Sequence, residues 1–97
     1  MQKLRIHPEA RQELFEAVDF YEERVPGLGD DLLEEYHSTL QQILHAPERA
    51  HLVFRDYRRQ NFHRFPYALI FRASGDTLLI IAVAHHRRRP LYWEKRI

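Results

Sequence analysis

The sequence predicts an α+β fold in the order β-α-α-β-β-β, an antiparallel sheet covered on one face by an N-terminal helical hairpin. Three observations carry this. Apolar residues recur at helical spacing up to about residue 46 and in short continuous runs after residue 57. Proline and glycine fall between the segments and not within them. Residues 1–50 hold five Lys/Arg against eleven Asp/Glu, a net of −6, whereas residues 51–97 hold ten against three, a net of +7.

Residues 3–7 (KLRIH) alternate and read as a short strand. Pro8 suits the first turn of a helix, where its missing N–H costs nothing. From there Ala10, Leu14, Ala17, Val18, Tyr21 and Val25 form an apolar stripe with acids between, and Pro26-Gly27 ends the helix. After Gly29, Asp30 or Asp31 is expected to cap a second helix with the stripe Leu32, Leu33, Tyr36, Leu40, Ile43 and Leu44, closed by Pro47. The two helices are joined by VPGLG. In the second half, YRRQNFHRF (57–65) reads as a basic strand with one face left open, YALIFRA (67–73) as a strand buried on both faces, Ser74-Gly75-Asp76 as a hairpin turn, and TLLIIAVAHH (77–86) as a second buried strand. The last three strands are expected to form an antiparallel meander.

Length and composition narrow the function. Ninety-seven residues, 44% apolar with twelve aromatics, suffice for one packed domain spanning 1–97. With no cysteine there is no disulfide framework and no thiolate chemistry, which suits a reducing cytoplasm. No apolar run reaches the ~18 residues of a membrane span. Three glycines rule out a phosphate-binding P-loop. No metal or other cofactor is expected, because adjacent histidines on a strand point to opposite faces and no zinc spacing is present. The acidic and basic halves either neutralise each other across the fold or leave the basic half facing an anionic partner.

The basic residues gather in two places. On 58–65, Arg58, Gln60, Phe62 and Arg64 alternate with Arg59, Asn61, His63 and Phe65, a mixture able to hold phosphates and stack bases, or to receive an acidic, partly apolar peptide. At the end of the last strand come His85, His86, Arg87, Arg88 and Arg89, then Pro90, Tyr92 and Trp93. The two aromatics are costly to leave in water, so they are expected to pack back and present the arginines on an ordered loop.

The helical start HPEARQELFEAVDFYEE, the core RRQNFHRFPYALIFR, the GD turn and the closing LLIIAVAHHRRRPLYW together resemble the RelE/ParE superfamily of type II toxin–antitoxin toxins, and within it the ParE-like branch often described as plasmid stabilisation proteins. The resemblance covers nearly the whole chain. It implies one of two activities on one fold. RelE-like members cut mRNA in the ribosome; ParE-like members poison DNA gyrase without catalysis of their own. Matched position by position, the RNase set is half kept. Arg59 falls on one basic position, Asn61 replaces the next lysine, Ala68 stands after Tyr67 where an arginine would be, His86 takes the last-strand arginine with Arg87 and Arg88 nearby, and Tyr92 matches the terminal tyrosine. Each missing contact to transition-state charge costs roughly 2.7–4 kcal/mol. The resemblance therefore implies a gyrase poison, with a ribosome-dependent endoribonuclease using Arg59, His86 and Tyr92 as the alternative. A third class is a member that only binds antitoxin. Target and antitoxin contacts are expected at Arg59, Arg64, His85, His86, Arg87, Arg88, Arg89, Tyr92 and Trp93. The implied partner is a cognate antitoxin with an acidic amphipathic C-terminal segment, operator DNA being reached only through that complex.

Overall fold

The computed structural model describes residues 3–97. Strand β1 (Lys3–Ile6) is followed by helices α1 (Pro8–Arg24) and α2 (Leu28–His45), then strands β2 (His51–Phe54), β3 (Tyr57–Asn61), β4 (Tyr67–Ser74) and β5 (Thr77–His85). The sheet order is β1-β5-β4-β3-β2. The meander β3-β4-β5 is antiparallel as expected. Two features of the sheet go beyond the expected one: β1 pairs parallel with β5, making the sheet mixed, and a short β2 extends the far edge beside β3.

His7 leaves the strand and caps α1, its Nδ1 accepting the Glu9 N–H at 3.1 Å. The hairpin turn is tighter than the sequence suggests. Helix α2 starts at Leu28 with Gly27 as its cap at φ 90, so neither Asp30 nor Asp31 is the cap; both lie in the first turn, where they favour the positive end of the helix dipole. The side-chain cap comes instead from the preceding helix. The Glu22 carboxylate accepts the N–H groups of Gly27 at 2.9 Å and Gly29 at 3.0 Å. Gly29 is required by contact: a Cβ there would stand 2.8 Å from the Val18 carbonyl oxygen.

The expected stripes meet the sheet. Ala10, Leu14 and Ala17 of α1 and Leu32, Tyr36, Leu40 and Ile43 of α2 pack on Leu69, Phe71, Leu78, Ile80 and Val83. Residues 62–66 are not strand, which corrects the boundary expected at Phe65. Phe62 and Phe65 both enter this core, and a period-2 strand cannot turn residues three apart to one face. Glu35 of α2 holds this loop by accepting the N–H of His63 and, at 3.0 Å, that of Arg64.

The opposite face of the sheet is not left open. A second, smaller core of Tyr57, Ile70, Ile81, Ala82, Ala84 and Trp93 covers it. A bulge in β5 makes this possible: Ile70 pairs with Ala82 and Phe71 with Ile80, so Ile81 and Ala82 both turn to the second core.

Candidate functional site

Strand β5 stops at His85, one residue earlier than expected, and the chain turns sharply. The His86 N–H donates to the Pro66 carbonyl at 2.8 Å, the Arg87 N–H to His85 Nδ1 at 3.0 Å and the Arg88 N–H to the His85 carbonyl at 3.0 Å. Leu91 sits at φ 60 and redirects the chain toward the sheet. Trp93 then enters the second core, 3% exposed, with its ring 5.6 Å from that of Tyr57 and 6.2 Å from that of Phe54. Trp93 is thus the anchor beneath the loop and not part of its outer surface.

A carboxylate ties this tail to the helical layer. Glu13 Oε1 accepts the Val83 N–H at 3.0 Å and Arg96 Nη1 at 2.8 Å; Oε2 accepts the Tyr92 hydroxyl at 2.7 Å and Arg96 Nη2 at 2.9 Å. Arg96 Nη1 also donates to the Ile81 carbonyl at 3.0 Å. Strand β1 ends opposite Ile80, so beyond it Val83 and Ile81 lack a neighbouring strand on that side, and these two side chains take its place. Burial alone would raise the Glu13 pKa, but the Arg96, Tyr92 and Val83 donors outweigh it and hold the carboxyl below its ordinary value. Burial and the Glu13 acceptor push the Tyr92 phenol far above its ordinary value.

The expected site residues separate into groups. Arg59, His85, His86, Arg88, Arg89, Tyr92 and Trp93 surround one depression. Arg87 is exposed on the same turn. Among the described residues, no carboxylate lies within 4.0 Å of Arg59, Arg87, Arg88 or Arg89. The Arg88 guanidinium stands 3.8 Å over the Tyr92 ring. His85 also stands edge-on to Tyr67 at 4.9 Å and, with Arg88, Tyr92, Glu13, Tyr21 and Tyr67, lines a second cleft of about 390 Å³ against α1. Burial, then Arg87 and His86, lower its pKa, so it is neutral at pH 7 with Nδ1 as acceptor. Arg64 does not join either group: it sits 3.6 Å from Asp31 of α2.

For general acid–base chemistry the arrangement is poor. Tyr92 is committed as a donor to Glu13 and resists deprotonation, while Arg59 Nε donates to Asn61 Oδ1 at 3.0 Å. Ala68 is fully buried opposite Ala84 and brings no cation to the depression. Sequence reasoning missed Glu13 and Arg96. The one available signal was an acid at position 13, on the edge of the α1 stripe beside Ala17.

Comparison with known proteins adds three findings. The family profile described as ParE toxin of type II toxin-antitoxin system, parDE, matches residues 4–90. The chain is 28% identical over 89 residues to a protein named Toxin ParE2 in two strains of Mycobacterium tuberculosis, covering 91% of this chain and 85% of that one. Its fold matches a chain in the structure of the chromosomal ParDE TA system from P. aeruginosa, with a TM-score of 0.75 at 16% identity over 88% of this chain and 96% of that chain.

Proposed function

The chain belongs to the ParE toxin family of type II toxin–antitoxin systems, and on that premise we propose that it poisons DNA gyrase by docking, with no bond-breaking chemistry of its own. The observation that carries this reading is the pairing of an exposed arginine loop, free of carboxylate partners, with a tyrosine whose hydroxyl is already bound to Glu13. Arginines held on an ordered, apolar-anchored loop are suited to binding, and a withdrawn tyrosine is unsuited to proton transfer. Arg87, Arg88 and Arg89, with Arg59 and His86 beside them, would make the contacts; Tyr92 and Trp93 would shape the surface from behind.

As a toxin of such a system its partner is an antitoxin. The basic loop favours an antitoxin segment that is acidic and amphipathic, neutralising the toxin by covering the same arginines. Toxin and antitoxin would meet in the cytoplasm, with operator DNA contacted only through the antitoxin. Among the described residues no helix is long and apolar enough to cross a membrane.

The direct test is plasmid supercoiling by purified gyrase. The parent protein should block supercoiling and trap cleaved DNA, and the Arg87→Ala/Arg88→Ala/Arg89→Ala variant should need roughly thirtyfold more protein, the loss of one interface anchor or more. Equal potency of the two proteins would remove the loop from the mechanism. A ribosome-dependent endoribonuclease is the second reading, favoured by one observation only: Arg59, His86 and Tyr92 do border one depression.

A further inference from the structure

We infer that Glu13 is a positioning residue of the arginine loop, acting through the Tyr92 hydroxyl to fix the ring against which Arg88 is held. This rests on the reading of the loop as the toxic surface. Glu13 lies on α1, in the helical layer; the C-terminal tail passes the free edge of β5 to reach it, and Arg88 and Tyr92 line the same cleft as Glu13. The backbone groups left free at that edge, the Val83 N–H and the Ile81 carbonyl, are met by Glu13 and Arg96. The Tyr92 hydroxyl bonds neither of these groups; its partner is the Glu13 carboxylate.

What the hydroxyl adds is direction. At 2.7 Å from Glu13 Oε2 it pins the far end of the ring and so fixes the direction of the side chain, and the Arg88 guanidinium lies 3.8 Å from the ring centroid. Hydrogen bonding to a carboxylate also enriches the ring's electrons and so strengthens its hold on the cation. With four donors the carboxylate is saturated, which leaves it no capacity for another partner. Arg88 would otherwise be a free rotor among three arginines. Glu13 thus restricts Arg88, with which it forms no ion pair, and lowers the ordering cost on binding.

The experiment uses the full chain and the variants Glu13→Gln and Tyr92→Phe, the latter removing one oxygen and leaving the ring. An arginine above an aromatic face gives an Nε–H resonance displaced upfield by the ring current; Arg88→Lys assigns it. Both variants should return this resonance toward the position of a free arginine and raise the growth-inhibitory dose roughly tenfold, the worth of a charge-assisted hydrogen bond. Each should add nothing to the loss caused by Arg88→Ala, a non-additivity that general destabilisation does not produce. If the Arg88 resonance stays in place in both variants, the inference is wrong. If it moves while toxicity is unchanged, Glu13 does position the loop, and the assignment of the loop as the toxic surface falls instead.

Discussion

Replacing Trp93 with alanine would remove the largest side chain of the second core. The ring is 3% exposed and touches Tyr57 and Phe54 edge-on or tilted, above the bulge formed by Ile81 and Ala82. A buried tryptophan removes roughly 200 Å² from water, worth about 5 kcal/mol at about 25 cal/mol per Å². Alanine retains a fraction of that, so the expected loss is about 3–5 kcal/mol. A chain of this size has about 5–15 kcal/mol in total, so the variant should be marginal. Urea unfolding followed by circular dichroism, which does not need the tryptophan, is the assay. A loss of about 4 kcal/mol moves the midpoint down by roughly 2 M at slopes of about 1–3 kcal/mol per M. Trp93→Phe, which keeps an aromatic ring against Tyr57, should lose clearly less. If the alanine variant loses under about 1 kcal/mol, the tail is not part of a core and the loop has no anchor.

Three further outcomes follow from polar groups withdrawn from water. The Glu13 carboxyl is depressed in the folded state, so its contribution to stability is full above the ordinary carboxylate pKa and disappears as pH falls through the folded value; urea midpoints at pH 7 and pH 3 should differ more for the parent than for Glu13→Gln. His85 is likewise depressed, but as a base. The fold is then most stable above about pH 6.5 and weakens as pH drops toward the lower folded value, while the His85 resonance titrates below that of a free histidine. Equal titration of His85 with a model peptide would contradict its burial beside the charges of Arg87 and His86. The Tyr36 hydroxyl is buried without a hydrogen-bond partner among the described residues, so Tyr36→Phe should stabilise the protein by about 1 kcal/mol; a lower melting temperature would show that the hydroxyl has a role.

The helices and the inner strands could be read because their periodicity is local. Ala10, Leu14 and Ala17, or Leu32, Tyr36, Leu40 and Ile43, need only a helix to line up, and Pro8, Gly27 and Pro47 punctuate them. Strand β2 was hidden because HLVF is four residues long and its strand character depends on pairing with β3. The parallel partner of β1 is equally non-local. The bulge at Ile81 leaves no mark in TLLIIAVA, where every residue is apolar. The loop at 62–66 imitated a continuing strand because Phe62 and Phe65 are spaced for neither period clearly.

For the site, the cluster from His85 to Trp93 was visible as composition, including the expectation that the aromatics pack back. The roles within it were not. Trp93 and Arg89 were both expected to contact a partner, yet one is buried in the second core and the other is exposed. Arg64 was expected to share a contact surface with Arg59, but β3 ends at Asn61 and the loop that follows sets Arg64 beside Asp31. Glu13 and Arg96 are 83 positions apart, and nothing local distinguishes either from its charged neighbours. Long-range ion pairs of this kind are decided by how the layers meet.

On the function we propose, this toxin stops DNA metabolism by docking and does not cut RNA. The most direct test is pulse labelling in a bacterium minutes after the chain is induced without antitoxin, comparing thymidine with methionine incorporation. Thymidine incorporation should fall first while methionine incorporation continues. Early collapse of methionine incorporation would contradict the account and make His86 and Tyr92 the residues to mutate; normal incorporation of both would mean that the chain binds its antitoxin but has no toxicity to restrain.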